Sequence, residues 1–149
     1  MNYLARVASF RDLVVYQKAR ALQHEIFEIS KSFPREETFS LTDQIRRSSR
    51  AIGANIAEAW AKRRYEKHFI SKLTDADSEQ METQHWIETA CDCGYIHRAQ
   101  ADALVAKCKE IGRMLGGMME RADSFWDDSK TLRESVAEYF TDDTDPLSD

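Results

Sequence analysis

Glu82-Thr83-Gln84-His85 is the stretch whose residue types and spacing come nearest to a metal chemistry. A Glu-x-x-His pair places two ligands on one helix face, but a carboxylate-bridged dimetal centre needs a second such pair and a glutamate from each of two further helices. The sequence holds no second pair. Cys91, Cys93, His97 and Cys108 could supply four zinc ligands, yet Cys-x-Cys followed by a distant third cysteine departs from the paired Cys-x-x-Cys spacing of structural zinc sites. Glycine-rich phosphate loops, nucleophile elbows and zincin helices are all missing from the sequence. The residues therefore give no support to catalysis, a resident metal or a cofactor.

Two other constellations remain. Arg47, Asn55 and Glu58 are separated by nearly whole numbers of helical turns, as are Glu79, Glu82, Thr83 and Trp86. Together with Ser48 they form polar stripes where a core-facing stripe is expected. They read either as a polar pocket or as an interhelical hydrogen-bond network that fixes packing, since buried polar groups are costly without partners. The second constellation is cationic: Arg46, Arg47 and Arg50, then Lys62, Arg63 and Arg64, followed by Lys67 and His68. It reads as a phosphate-binding strip, with Trp60 and Tyr65 available to stack on bases, or as a solvated face with some ion pairs between subunits.

Both constellations sit on sequences with strong helical periodicity. Ser9, with Asp12 three residues on, predicts the start of a first helix whose seam is Val15, Ala19, Leu22, Ile26, Ile29 and Phe33, ended by Pro34. Ser40 and Asp43 repeat the signal for a second helix with seam Leu41, Ile45, Ser48, Ile52, Asn55 and Ala59. Ser49, Ala51, Gly53, Ala54 and Ala57 lie beside that seam and invite a close neighbour. Phe69, Leu73, Ala76, Gln80, Thr83, Ile87 and Ala90 mark a third helix that stops at Gly94. Ala101, Leu104, Cys108, Ile111, Leu115 and Met118 mark a fourth, with Gly116-Gly117 weakening its last turn. No Gly or Pro separates helices two and three, but one continuous helix over 40–92 would run to roughly 80 Å, so a break is expected at 61–66.

The chain's net charge of −5 is uneven: residues 121–149 carry nine acidic and three basic side chains, a net −6, which leaves about +1 for residues 1–120. An acidic tail follows a nearly neutral body, and a short fifth helix with Leu132, Val136 and Tyr139 or Phe140 on one face, ending near Asp142, is expected within it. The absence of a long apolar run and of a signal-peptide pattern, with an odd number of cysteines, points to a cytoplasmic protein with reduced thiols and no membrane partner. Phe27, Trp60, Phe69 and Trp86 add large apolar surface that a lone bundle is not expected to cover, which predicts a homo-oligomer.

Over residues 10–119 the chain resembles the bacterial four-helix-bundle family of proteins encoded by 23S rRNA intervening sequences. The resemblance rests on Phe10-Arg11-Asp12-Leu13, Phe33-Pro34, Gln44-Ile45-Arg46-Arg47-Ser48, Asn55-Ile56-Ala57-Glu58 and the run from Phe69 to Trp86. It implies an up-down-up-down bundle, often a ring-shaped homopentamer. It also implies kinship with the accessory protein of diversity-generating retroelements, a basic pentamer that works with nucleic acid, whereas this chain is acidic. The expected fold class is all-α: an antiparallel, up-down-up-down four-helix bundle over residues 1–120 with an acidic C-terminal tail over 121–149. The expected function is non-enzymatic association with RNA or other nucleic acid through the basic strip. The alternative is a protein–protein scaffold that binds no nucleic acid.

Overall fold

The structure, a computed structural model, describes residues 7–122; the acidic tail and its expected fifth helix lie outside them. Four long helices account for most of these residues: α1 (Val14–Ser30), α2 (Asp43–Ala61), α3 (Glu66–Asp92) and α4 (Arg98–Glu120). No strand occurs among the described residues. Each helix packs on the next in sequence, and α1 also meets α4, so one core is shared by all four.

The seams of α3 and α4 are buried at every predicted position, from Phe69 to Ala90 and from Ala101 to Met118. Phe69 is thus a core residue, not part of an uncovered surface as expected from sequence. In α1, Val15, Ala19, Leu22 and Ile26 are buried as predicted, but Ser30 replaces Ile29 at the C-terminal end. In α2, Ile56 replaces Asn55, and Ser49 and Gly53 are buried beside Ser48 and Ile52. This helix is covered by both α1 and α3, so its buried arc is wider than a two-position seam. Small residues lie along this arc, and the Tyr16 ring of α1 packs directly over Gly53, where an added Cβ would meet it at an ordinary contact distance of 3.5 Å.

The helix starts differ from the sequence expectation. Ser9 and Asp12 do form a capping box, but on a single 3-10 turn, Phe10–Asp12, and α1 begins only at Val14 behind an extended Leu13. Ser40 caps nothing: it lies in a wide turn of π type, Thr38–Thr42, and its hydroxyl donates to Glu37 Oε1. The break between α2 and α3 does fall at 61–66. The Lys62 and Arg63 amides donate to the last carbonyls of α2, and the Arg63 guanidinium reaches back to the Trp60 carbonyl at 2.9 Å. Side-chain and turn bonds end the helix here without Gly or Pro.

At the far end of α3, Gly94 has φ +78, the Gly94 amide donates to Cys91 O and the Tyr95 amide to Ala90 O. This is a Schellman stop, which needs a left-handed residue where Gly94 stands. Gly116 and Gly117 do not terminate α4, which continues to Glu120. None of the helices is long and apolar enough to cross a membrane.

Candidate nucleic-acid interface

The helix positions of the basic residues divide them into three groups. Arg46 and Arg50, one turn apart on α2, face α1. Arg46 Nε donates to Ser30 Oγ at 2.8 Å, and its guanidinium lies 4.8 Å from the centre of the Phe27 ring. The Arg50 guanidinium and the Lys31 ammonium approach the same ring at 5.6 and 4.8 Å. A cation gains from the negative face of an aromatic ring, so Phe27 acts as the anchor of this group. Arg47, about a quarter-turn round the helix, faces the α3 side, where its charge acts on Glu79.

The third group is at the α2–α3 turn. Arg63 stacks 4.1 Å over Trp60 while bonding its carbonyl, and Lys62 is exposed. Arg50 and Lys62 are separated by about 18 Å of helix axis. Because α2 ends at Ala61, Arg64 lies beyond the helix and does not share the azimuth of Arg46 that an extended helix would have given it.

The ion pairs among the described residues involve other cations: Lys18–Glu110, Lys31–Glu28, Lys72–Glu58, Lys107–Glu25 and Arg98 with Glu88 and Asp102. Arg46, Arg47 and Arg50 take part in none. Sequence reasoning missed the α1 half of this face. Arg20, Gln23, His24 and Phe27, with Arg50, line a cleft of about 370 Å³. The signal was present in the spacing of Arg20, His24 and Phe27, which fall on one helical stripe opposite the apolar seam.

The polar stripes come together only in part. Thr83 Oγ1 donates to Ser48 Oγ at 2.9 Å across the α2–α3 contact, and Ser48 Oγ lies 3.3 Å from the Ile45 carbonyl. Both side chains are buried. Asn55 instead donates to the Ala51 carbonyl of its own helix. Glu58 is exposed and pairs with Lys72 at 2.8 Å, whose hydrogen bond and charge lower the Glu58 pKa and whose own pKa is raised in return. Glu79 is half-buried beside Glu82, and desolvation, then the Glu82 charge, raises its pKa against the opposing pull of Arg47. Trp86 packs against the core and His85, with its buried Nε1 lacking an acceptor among the described residues. A different polar cluster occupies the α3–α4 seam. Buried Gln80 donates to Asp77 Oδ1 at 2.9 Å and accepts from Gln84 at 2.7 Å, over the bare backbone of Gly112.

No cluster of three or more His, Cys, Asp or Glu side chains arranged to hold a metal occurs among the described residues. The exposed Cys93, half-buried Cys91 and buried Cys108 are all unpaired thiols.

A solved structure from Bacteroides thetaiotaomicron, titled a protein with unknown function from the S23 ribosomal protein family, is similar to this chain. Identity is 32%, the alignment covers 72% of this chain and 96% of that one, and the TM-score is 0.65. No functionally curated protein matches. The family profile described as 23S rRNA-intervening sequence protein matches residues 11–117. On that coverage, together with the helical fold it shares with the solved relative, the chain belongs to the 23S rRNA-intervening sequence protein family.

Proposed function

We propose that this chain is a non-enzymatic, homo-oligomeric helical bundle of up-down-up-down order that associates with RNA through Arg46, Arg47, Arg50, Lys62, Arg63 and Arg64. The observation that carries the reading is the state of the cations. Lys18, Lys72, Arg98 and Lys107 are neutralised by carboxylates on neighbouring helices, whereas Arg46 and Arg50 are held on Phe27 without one and Arg47 is in no ion pair among the described residues. Ordered arginines lacking carboxylate partners are available to phosphate oxygens. The names attached to the family and to the solved relative, 23S rRNA and S23 ribosomal protein, favour RNA over other polyanions. The packing of each helix on the next, with short connections over 62–65 and 93–97, favours the up-down-up-down order. The pentameric ring is taken from the resemblance to the retroelement accessory protein, and the unpaired thiols suit a reducing cytoplasm.

The test is binding of a structured RNA across a salt series, comparing wild type with a variant carrying alanine at positions 46, 47, 50, 63 and 64. Phosphate neutralisation makes log affinity fall linearly with log salt, and removing contacts makes the line shallower. Equal, weak binding by both proteins would reject the reading. Light scattering that returns the mass of a single chain would reject the oligomer.

One observation favours the scaffold alternative. Phe39 is 81% exposed and Met81 57% exposed, large apolar side chains outside the core. With the net −6 of residues 121–149, such side chains suit recruitment of a protein partner.

A further inference from the structure

We infer that the cleft between α1 and α2, formed by Arg20, His24 and Arg50 with Arg46 beside it, is a phosphate seat that grips the backbone of RNA without reading its bases. The inference rests on the RNA reading above and extends it to residues of α1 that the basic strip did not include. Three observations carry it.

The first is unrelieved positive charge. Arg20 and Arg50 converge on one cleft with His24, Arg46 lies beside it over Phe27, and none of the three arginines forms an ion pair among the described residues. On α1 the nearby acids are engaged elsewhere, Glu28 with Lys31 and Glu25 with Lys107 of α4; on α2, Asp43 lies one turn before Arg46 but forms no ion pair with these arginines among the described residues. Like charges held together raise the free energy of the empty site, and an anion placed between them relieves that repulsion.

The second is preorganisation. Arg46 spends its Nε on Ser30 and rests on Phe27, so its two terminal nitrogens are fixed while still free to donate. Arg20 Nη1 leans on the Tyr16 hydroxyl at 3.5 Å. Less side-chain entropy is then lost when a phosphate arrives.

The third is the missing base platform. Phe27 is the aromatic side chain of the cleft, and Lys31, Arg46 and Arg50 already crowd its ring. Base stacking needs an open aromatic face, and a base would have to compete with three cations for this ring. Guanidinium forks fit phosphate oxygens in pairs, while Gln23 and His24 line the same cleft with hydrogen-bonding groups suited to a sugar hydroxyl. The ligand chemistry is therefore a phosphate group on a sugar, independent of base sequence.

The experiment has two arms. In the first, labelled oligouridylate and a mixed-sequence RNA of equal length are titrated into the full chain over a salt series. The proteins are wild type, Arg20→Gln/Arg50→Gln, and a turn variant with Lys62, Arg63 and Arg64 changed to Gln. Arg46 is left intact because its removal would also strip Ser30 and Phe27 of a packing partner. The cleft variant should lose about tenfold in affinity on both RNAs, with a shallower salt slope and an unchanged urea midpoint. In the second arm, pyrophosphate is titrated while the His24 ring resonances are followed by NMR, and saturable shifts that vanish in the cleft variant are expected.

If the turn variant loses affinity and the cleft variant does not, RNA binding stands and the seat is overturned. A strong preference for one RNA sequence overturns the backbone reading. His24 shifts in a protein that binds neither RNA overturn RNA as the source and assign the seat to small phosphate compounds. No RNA binding and no His24 shift overturns both.

Discussion

The same substitution, Gly to Ala, should act with opposite sign at two positions one turn apart on α4. Alanine is favoured over glycine inside a helix by about 0.8–1.0 kcal/mol. At Gly116 an added Cβ meets nothing within 4 Å, so Gly116→Ala should stabilise the fold by about 0.5–1 kcal/mol. At Gly112 the Cβ would stand 2.8 Å from Gln80 Nε2, 3.2 Å from Asp77 Oδ1 and 3.4 Å from Gln80 Cδ. The Gln80 amide is the flexible end of a side chain, but it is only 3% exposed and is tied to Asp77 and Gln84. Displacing it forfeits two hydrogen bonds worth about 1 kcal/mol each and leaves a buried amide short of partners, a further penalty of about 1 kcal/mol or more. Set against the helix gain, Gly112→Ala should destabilise by about 1–2 kcal/mol. Urea unfolding of both variants beside the wild type, at constant slope, measures the pair. Stabilisation by both substitutions would show that Gln80 swings aside freely, and the account of this polar seam would be wrong.

Other outcomes follow from the same contacts. Burial and the Glu82 charge raise the Glu79 pKa, so the folded chain holds that proton more tightly than the unfolded chain. The associated stability is present below the unfolded carboxylate pKa and is lost as pH rises through the folded one. Glu79→Gln should therefore raise the urea midpoint at neutral pH, with the gap closing on acidification; coincident midpoints at neutral pH would refute this. Gly94→Ala forces a Cβ into the left-handed region at φ +78 and should cost about 1–2 kcal/mol, read as a lower thermal midpoint; an unchanged midpoint would mean the Schellman stop has rearranged. Desolvation pushes the Cys108 thiol up to about 12, so a disulfide reagent should modify exposed Cys93 first and reach Cys108 only on unfolding; rapid modification of Cys108 in the folded chain would contradict its burial.

Periodicity made the middle of each helix legible and left its ends obscure. A spacing of four and three identifies a face, and the faces of α3 and α4 are the buried ones at every position. The same rule chose Asn55 over Ile56 on α2 because it allows each helix one seam, while α2 lies under both α1 and α3. Helix starts failed for a different reason. Ser9 caps only a 3-10 turn and Ser40 lies inside a π turn and caps nothing, because a capping residue type does not say whether a long helix follows it. Of the candidate site, the sequence displayed the charges but not their neutralisation. Glu88 and Arg98 lie ten residues apart on different helices and form a two-pronged pair, while adjacent arginines on α2 go without one. Proximity along the chain cannot distinguish a spent cation from an available one; only the packing of α1 against α2 does. That packing sets Arg20 and His24 of α1 beside Arg50 in a single cleft, and it turns a run of α2 arginines into a surface with two walls.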